Sequence, residues 1–116
     1  MTFSALYKMP IIEIRDRTSH DTLLVKSPYT VMFFGAKTCG HCIGITPYIN
    51  QLSESEQLRN VAFGHIEMTE VECDNVKSEG FGVPCFVMYQ KEKPREIIIG
   101  ANRDKIQVAI NRLLGR

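Results

Sequence analysis

The chain has 116 residues, the length of one compact domain, so a second hydrophobic core is not expected. Hydrophobic residues make up 44% of the chain and charged residues 23%, a mixture typical of globular proteins, which excludes the disordered and fibrous classes. The 14 Lys and Arg residues against 13 Asp and Glu residues give a formal net charge of +1, so we expect neither nucleic acid nor an acidic membrane surface as a partner.

The first third of the sequence predicts two strands with a short helix between them. Residues 10–14 are apolar and β-branched, which favours a strand, and residues 22–26 are predicted to form a short helix. His20 lies in the polar stretch before that helix and is interpreted as a solvent-exposed loop residue. Residues 29–34 are apolar almost throughout, as expected for a strand that is covered on both faces. We therefore predict that this strand lies at the centre of a sheet.

The middle of the chain predicts a long helix, a strand and a second short helix. Residues 40–58 repeat apolar positions at intervals of three and four, which indicates a helix, and Pro47 inside this run predicts a kink. Residues 61–68 are predicted to form a strand, and residues 71–78 a short helix.

The last third predicts two paired strands and an amphipathic helix. Residues 84–89 and 96–100 favour strands, and the polar stretch between them has the length of a hairpin loop, which predicts an antiparallel pair. Asn102 is a candidate N-cap for the last helix. One face of this helix is apolar and consists of Ile106, Ala109, Ile110, Leu113 and Leu114. The element order βαβαβ(α)ββα indicates the α/β class.

The Cys-Gly-His-Cys sequence at residues 39–42 carries chemistry by itself, because it lies where the central strand ends and the long helix begins. Unpaired N–H groups and the positive end of the helix dipole favour the thiolate of Cys39, which we predict to be the nucleophile. Cys42 lies one helical turn later, within reach of a disulfide with Cys39, and is predicted to be the resolving thiol. We predict that His41, between the two thiols, stabilises the Cys39 thiolate and makes the pair more oxidising.

Two prolines and a glycine elsewhere in the chain also match a known family. Together with the cysteine motif, they make the sequence resemble the thioredoxin-fold family over nearly its whole length. Cys-Gly-His-Cys itself is typical of the catalytic domains of protein disulfide isomerases. Pro47, five residues past Cys42, is similar to the family's helix-kinking proline, and Gly100 to its final-strand glycine. Val83-Pro84 is similar to the family's cis-proline loop. The resemblance implies that this loop faces the cysteine pair and binds the substrate backbone.

The resemblance implies a single domain of thioredoxin fold over residues 1–116, with a central mixed β-sheet flanked by helices and a C-terminal β-hairpin and helix. It also implies a thiol-disulfide oxidoreductase that acts on protein thiols and disulfides, closer to an oxidase or isomerase than to a reductase. Glutathione or a redox reductase or oxidase is the implied redox partner. We expect no cofactor, no metal, a monomer and no membrane partner. Residues 1–10 and 113–116 carry no recognisable secretory or retention signal, so we expect a cytoplasmic location.

Two positions depart from the family pattern. Family members usually carry a tryptophan just before the first cysteine and a buried acid six residues before it, whereas this chain has Thr38 and Phe33 there. No carboxylate at Phe33 can therefore take the proton of Cys42. His65 matches a lysine position of the family on the next strand, and it is our candidate for a substitute proton acceptor. The alternative is a core or edge histidine with no such role.

Other functions stay open at this point. Cys39 and Cys42 could ligate zinc or an iron-sulfur cluster with His41, Cys73 or Cys85, although Cys73 and Cys85 lack the second close-spaced pair of a zinc ribbon. The domain could instead bind thiol-containing or unfolded peptides without turnover, which the missing acid favours. Cys73 and Cys85 are interpreted as buried thiols, with a second disulfide between them, or transfer of oxidation from the Cys39–Cys42 pair, as the alternatives.

Overall fold

A five-stranded mixed sheet lies at the centre of the computed structural model, which describes residues 10–68 and 82–116. The strands are β1 (Ile12–Ile14), β2 (Tyr29–Gly35), β3 (Val61–Glu67), β4 (Cys85–Gln90) and β5 (Lys93–Ile99). Their spatial order is β1-β3-β2-β4-β5. The β1–β3 and β3–β2 pairs are parallel, and the β2–β4 and β4–β5 pairs are antiparallel. The sheet therefore ends in the predicted C-terminal hairpin.

Helices cover both faces of this sheet. They are α1 (Arg17–Lys26), α2 (Gly40–Ser53) and α3 (Arg103–Leu113), with a short 3₁₀ turn at Glu56–Leu58. Successive side chains of a strand point to opposite faces, so β2 contributes Phe33 to the core under α2 and α3, and Phe34 to the core under α1. The predicted α/β class, with a central mixed sheet flanked by helices, is confirmed. None of the helices within the described ranges has the length and apolar character that crossing a bilayer requires.

The prediction that residues 29–34 form the central strand is confirmed. β2 lies between β3 and β4, and every residue from Thr30 to Gly35 is buried. A strand with helices over both faces has no solvent side, which explains why its sequence is apolar almost throughout rather than alternating. Because β2 is held rigidly on both edges, the loop that follows it leaves the sheet from a fixed point.

The first helix begins earlier than the sequence predicted, at Arg17 rather than at residue 22. Asp16 is its N-cap: the carboxylate accepts a hydrogen bond from the Ser19 N–H at 2.7 Å, and the Ser19 hydroxyl oxygen accepts one from the Asp16 N–H at 3.3 Å. The interpretation of His20 as an exposed loop residue is wrong. Helical periodicity places His20 on the same buried face as Leu23, and only 4% of it is exposed.

Two boundaries farther along the chain also differ. α2 ends at Ser53, and the 3₁₀ turn follows separately, so the predicted helix over residues 40–58 is two elements. Pro47 lies inside α2 as predicted. β5 begins at Lys93 rather than at residue 96, and its hairpin turn consists of Lys91 and Glu92 alone. An edge strand tolerates exposed charges and a proline. The first half of β5 therefore has few apolar residues, and a prediction based on apolar residues missed it.

The last helix follows the prediction closely. The Asn102 side chain accepts a hydrogen bond from the Lys105 N–H at 3.0 Å and is the N-cap, and Ile106, Ala109 and Ile110 are buried against the sheet. The helix predicted over residues 71–78 lies outside the described residues, and so does Cys73.

Candidate active site

The loop from β2 to α2 places Cys39 immediately before the first turn of the helix. Cys39 is the N-cap of α2, with extended backbone angles of φ −96° and ψ 114°. Its sulfur accepts a hydrogen bond from the Cys42 N–H at 3.1 Å. A thiolate in this position satisfies one of the orphan N–H groups of the helix and lies at the positive end of its dipole. The N-cap position of Cys39 therefore favours its thiolate form.

The surroundings of Cys39 lower the pKa of its thiol below the ordinary value of 9.0. The largest cause is a hydrogen bond from the Cys42 thiol, and the backbone N–H groups of Cys42 and His41 add to it, while desolvation opposes the shift. Cys39 is only half-buried. An accessible thiol with a lowered pKa is the kind of group that attacks a disulfide.

Cys42 has the opposite character. It is 4% exposed, and burial is the main reason that its pKa rises from 9.0 to about 11. The hydrogen bond that it donates to Cys39 and the negative charges of Cys39 and Glu67 raise the pKa further, whereas the Ala36 backbone N–H lowers it. Cys42 therefore stays protonated until something removes its proton, as expected of a resolving thiol.

The loop before β4 meets this pair from a distant part of the sequence. The Val83–Pro84 peptide bond is cis, as the resemblance implied. The thiol of Cys39 donates to the Val83 carbonyl oxygen across 3.8 Å, a contact between residues 44 positions apart. Val83 is half-buried and Pro84 buried. The loop lies beside Cys39, as substrate binding would require, and substrate binding by Val83 and Pro84 stays a prediction.

This arrangement can be compared with known proteins. A family model described as thioredoxin matches residues 11–112. The chain belongs to the thioredoxin family. It is 24% identical over 109 residues to putative thioredoxin-5 of Dictyostelium discoideum, covering 94% of this chain and 100% of that protein. It is 34% identical over 86 residues to the thioredoxin of Homo sapiens, covering 72% of this chain and 78% of that protein.

Solved structures confirm the thioredoxin fold. The thioredoxin of Trypanosoma brucei brucei superimposes with a TM-score of 0.81 at 18% identity, covering 95% of each chain. Oxidized mitochondrial thioredoxin 3 of Saccharomyces cerevisiae superimposes with a TM-score of 0.78 at 25% identity, covering 88% of this chain and 94% of that one. The domain is thus a thioredoxin-like thiol-disulfide oxidoreductase by family.

His41, the third predicted catalytic residue of this thioredoxin-family site, lies in the first turn of α2 between the two cysteines. Its side chain is exposed, and its backbone N–H helps to lower the pKa of Cys39. The tuning role of the His41 imidazole stays a prediction.

Phe33 replaces the family's buried acid with a packed aromatic ring. It is 2% exposed and stacks on Phe86 with 4.8 Å between the ring centroids. His65 pairs opposite Phe33 in the sheet, and the centroids of the two rings are 5.0 Å apart. The His65 Nδ1 atom lies 2.8 Å from a carboxylate oxygen of Glu13. His65 therefore has a partner on β1, and its role as proton acceptor stays a prediction.

Glu67 is a charged residue of the site that the sequence reasoning missed. It pairs opposite Gly35 at the end of β2, and its Oε2 atom accepts a hydrogen bond from the Lys37 N–H at 3.1 Å. Its charge contributes to the raised pKa of Cys42. Glu67 is two residues past His65, and side chains two apart on a strand share a face. That period of two was the signal that could have found it.

Cys85 lies on the other side of the sheet from the reactive pair. It is fully buried with Phe34 in the core under α1, whereas Cys39 and Cys42 belong to the core under α2. This placement supports the interpretation of Cys85 as a buried apolar side chain. Among residues 10–68 and 82–116, no three His, Cys, Asp or Glu residues cluster as metal ligands would.

Proposed function

We propose that this protein exchanges disulfides with protein substrates through Cys39 and Cys42. The observation that carries the proposal is the unlike environment of two thiols one helical turn apart: the half-buried Cys39 has a lowered pKa, and the buried Cys42 a raised one. Such a difference separates attack from resolution, because only the thiolate attacks a disulfide.

The reaction proceeds in two exchanges. The Cys39 thiolate attacks one sulfur of a substrate disulfide, so that a Cys39–substrate bond forms, the substrate S–S bond breaks, and one substrate thiolate leaves. Cys42 then loses its proton and attacks the Cys39 sulfur. The Cys39–Cys42 disulfide forms, the second substrate thiolate leaves and takes a proton, and the substrate has gained two electrons. The same steps in reverse oxidise a dithiol.

The Val83–Pro84 loop is proposed to hold the substrate beside Cys39. Its carbonyl oxygen at Val83 lies 3.8 Å from the Cys39 sulfur, close enough for a backbone bound there to bring a disulfide to the nucleophile. Protein thiols and disulfides are the proposed substrates, with glutathione or a redox reductase or oxidase as the proposed partner.

For the direction of electron flow, we propose a poise closer to an oxidase or isomerase than to a reductase. His41 beside the thiolate of Cys39 favours the reduced pair over the disulfide, which makes the reduction potential less negative. The names of the relatives, which are thioredoxins, support the opposite poise. The two assignments correspond to potentials of about −180 mV and about −270 mV, so one titration separates them.

The experiment is an equilibrium titration of the Cys39–Cys42 couple against glutathione, with a turnover assay on insulin and on scrambled ribonuclease. We expect a potential near the isomerase value, and a shift of about 30 mV or more toward negative values in His41→Ala, a tenfold change in the exchange constant. Cys39→Ser and Cys42→Ser should lose turnover, and Cys85→Ala serves as the matched control. A potential near that of thioredoxin would overturn the poise alone, whereas turnover that survives Cys39→Ser would overturn the function.

The missing acid at Phe33 favours one other candidate, a module that binds peptides without turnover. In that case the insulin and ribonuclease assays give no activity, while a thiol-containing peptide still binds in competition with substrate. Metal analysis of protein purified without chelator belongs to the same experiment, since a stoichiometric ion on Cys39 and Cys42 would also contradict disulfide exchange.

A further inference from the structure

The second exchange of the proposed function needs a proton acceptor, for which His65 is the candidate from the sequence. Cys42 can resolve the mixed disulfide only as a thiolate, but it is buried, and burial disfavours the charged form. Once Cys39 is bonded to substrate, it carries no charge and cannot take this proton. A base close to Cys42 is therefore needed, and the aromatic ring of Phe33 supplies none.

Within residues 10–68 and 82–116, the titratable groups to consider at this end of the sheet come from four elements. They are Cys39 and His41 at the start of α2, Lys37 in the loop before it, His65 and Glu67 on β3, and Glu13 of β1 beside His65. His41 is exposed. Among the charged groups, Cys39 and Glu67 act on the ionisation of Cys42.

The Glu67 carboxylate is hydrogen-bonded to the loop between β2 and α2, residues 36–39, which we call the cysteine loop. Glu67 is half-buried and stands opposite Gly35, the last residue of β2. Its Oε2 atom accepts a hydrogen bond at 3.1 Å from the backbone N–H of Lys37, which is two residues before Cys39. The strand end is also fixed, because the Met68 N–H donates to the Gly35 carbonyl at 2.8 Å. The carboxylate is thus hydrogen-bonded to the loop that leads into Cys39.

A side chain at Gly35, opposite Glu67, would crowd the residues around it. A Cβ atom on Gly35 would lie 3.1 Å from a ring carbon of Phe33 and 3.4 Å from the Nε2 atom of His65. The contact with Phe33 is tighter than an ordinary van der Waals separation, and the contact with His65 is at its lower limit, so a larger residue at Gly35 requires the Phe33 ring to shift. The register partner of Glu67 on β2 is therefore a residue without a side chain.

We propose that Glu67 accepts the proton of Cys42 when the mixed disulfide is resolved. The inference rests on the proposed function, because it names the base for its second exchange. The proton moves from the Cys42 sulfur to a Glu67 carboxylate oxygen, the Cys42 thiolate attacks the Cys39 sulfur, and the Cys39–substrate bond breaks. The proton on Glu67 then passes to the departing substrate thiolate or to solvent, which restores the carboxylate.

His65 is the rival acceptor. Its Nδ1 atom contacts both oxygens of Glu13, at 2.8 and 3.0 Å, and its ring lies against Phe33. Glu67 is favoured for two reasons. Its charge acts on Cys42, and its carboxylate is hydrogen-bonded to the cysteine loop, whereas His65 contacts Glu13 on the edge strand β1.

The test separates the two exchanges in time. The reduced protein is mixed with dithiobis-nitrobenzoate in a stopped-flow instrument: the first aryl thiolate released reports attack by Cys39, and the second reports resolution by Cys42. Cys42→Ser marks the amplitude of the first phase. In Glu67→Gln we expect the first phase to persist and the second to slow by about 100-fold at neutral pH, the lower end of what a general base contributes. A glutamine oxygen still accepts the Lys37 N–H, so the loop keeps its anchor.

Two further readouts distinguish a base from a charged neighbour. If Glu67 only repels the Cys42 thiolate, Glu67→Gln lowers the pKa of Cys42 and speeds resolution, the opposite of our expectation. If Glu67 is the base, the rate in Glu67→Gln is restored as the pH rises, and Glu67→Asp recovers part of the neutral-pH rate. Glu54→Gln, which removes a charge from the other end of α2, is the matched control and should change neither phase.

Each result decides something. Unchanged or faster resolution in Glu67→Gln, or a loss in His65→Gln equal to the one expected for Glu67, overturns the assignment to Glu67. If wild-type protein releases no first aryl thiolate, the proposed function itself fails, which is a different result. Circular dichroism and a thermal melt of each variant identify loss of fold, and Glu67→Asp keeps the assignment testable if Glu67→Gln does not fold.

Discussion

The rates at which the two cysteines react with an alkylating reagent should separate strongly as a function of pH. The pKa of Cys42 rises from 9.0 to about 11, so its thiolate fraction at neutral pH falls about 100-fold below that of an ordinary cysteine. The pKa of Cys39 moves the other way, which enlarges its thiolate fraction. Because the thiolate is the reacting form, we expect Cys39 to be alkylated at neutral pH at least about 100-fold faster than Cys42.

The assay is alkylation of the reduced protein with iodoacetamide over a pH series, followed by mass analysis of the peptides that carry Cys39 and Cys42. The pH midpoint is more informative than the absolute rate, since burial also slows access to Cys42. In Cys39→Ser the neighbouring thiolate is gone, but burial remains, so the Cys42 midpoint should stay above the ordinary value. A Cys42 midpoint at or below 9.0 would refute the reasoning.

The same ionisation makes the stability of the reduced protein depend on pH. The folded-state pKa of Cys42 lies above its unfolded value, so the unfolded chain loses this proton first as the pH rises. The contribution is therefore fully present below about pH 9 and is lost up to about pH 11, to a total of about 3 kcal/mol. Urea denaturation under reducing conditions should show this loss in the wild type and not in Cys42→Ala. Parallel curves for the two proteins would contradict the raised pKa.

Four further substitutions test the packing of the core and the cap of α3, each by urea denaturation. Gly64→Ala places a Cβ atom 2.6 Å from the Met32 sulfur and should destabilise the fold by about 1–3 kcal/mol. Gly44→Ala on α2 adds a Cβ atom that meets no atom within 4 Å, and it should stabilise the fold by about 0.5–1 kcal/mol. Stability changes of the same sign in both variants would contradict the packing. Phe33→Asp should not restore an acid but destabilise the fold by about 4 kcal/mol or more, because it removes a stacked ring and buries a carboxylate; a folded variant with faster turnover would show this wrong. Asn102→Ala removes the N-cap of α3 and should lower the free energy of unfolding by about 1 kcal/mol, and no change would mean that the cap is not used.

Local sequence patterns predicted most of the fold because the features they report are local. The apolar run of β2 and the period of α3 reflect what each segment buries, and the Asn102 cap depends on residues three positions apart. The same reasoning failed where burial depended on neighbours elsewhere: His20 is buried because α1 packs on the sheet, and the first half of β5 is charged because it lies at an edge.

At the site, the local sequence was enough to predict the chemistry of the pair, because two thiols one turn apart at the start of a helix need only the local backbone. It could not determine what surrounds them. The contact of Val83 with Cys39 and the place of Glu67 beside the cysteine loop join segments separated by tens of residues. These contacts follow from the tertiary structure, since the register of three strands sets which side chains meet, and no local pattern encodes that register.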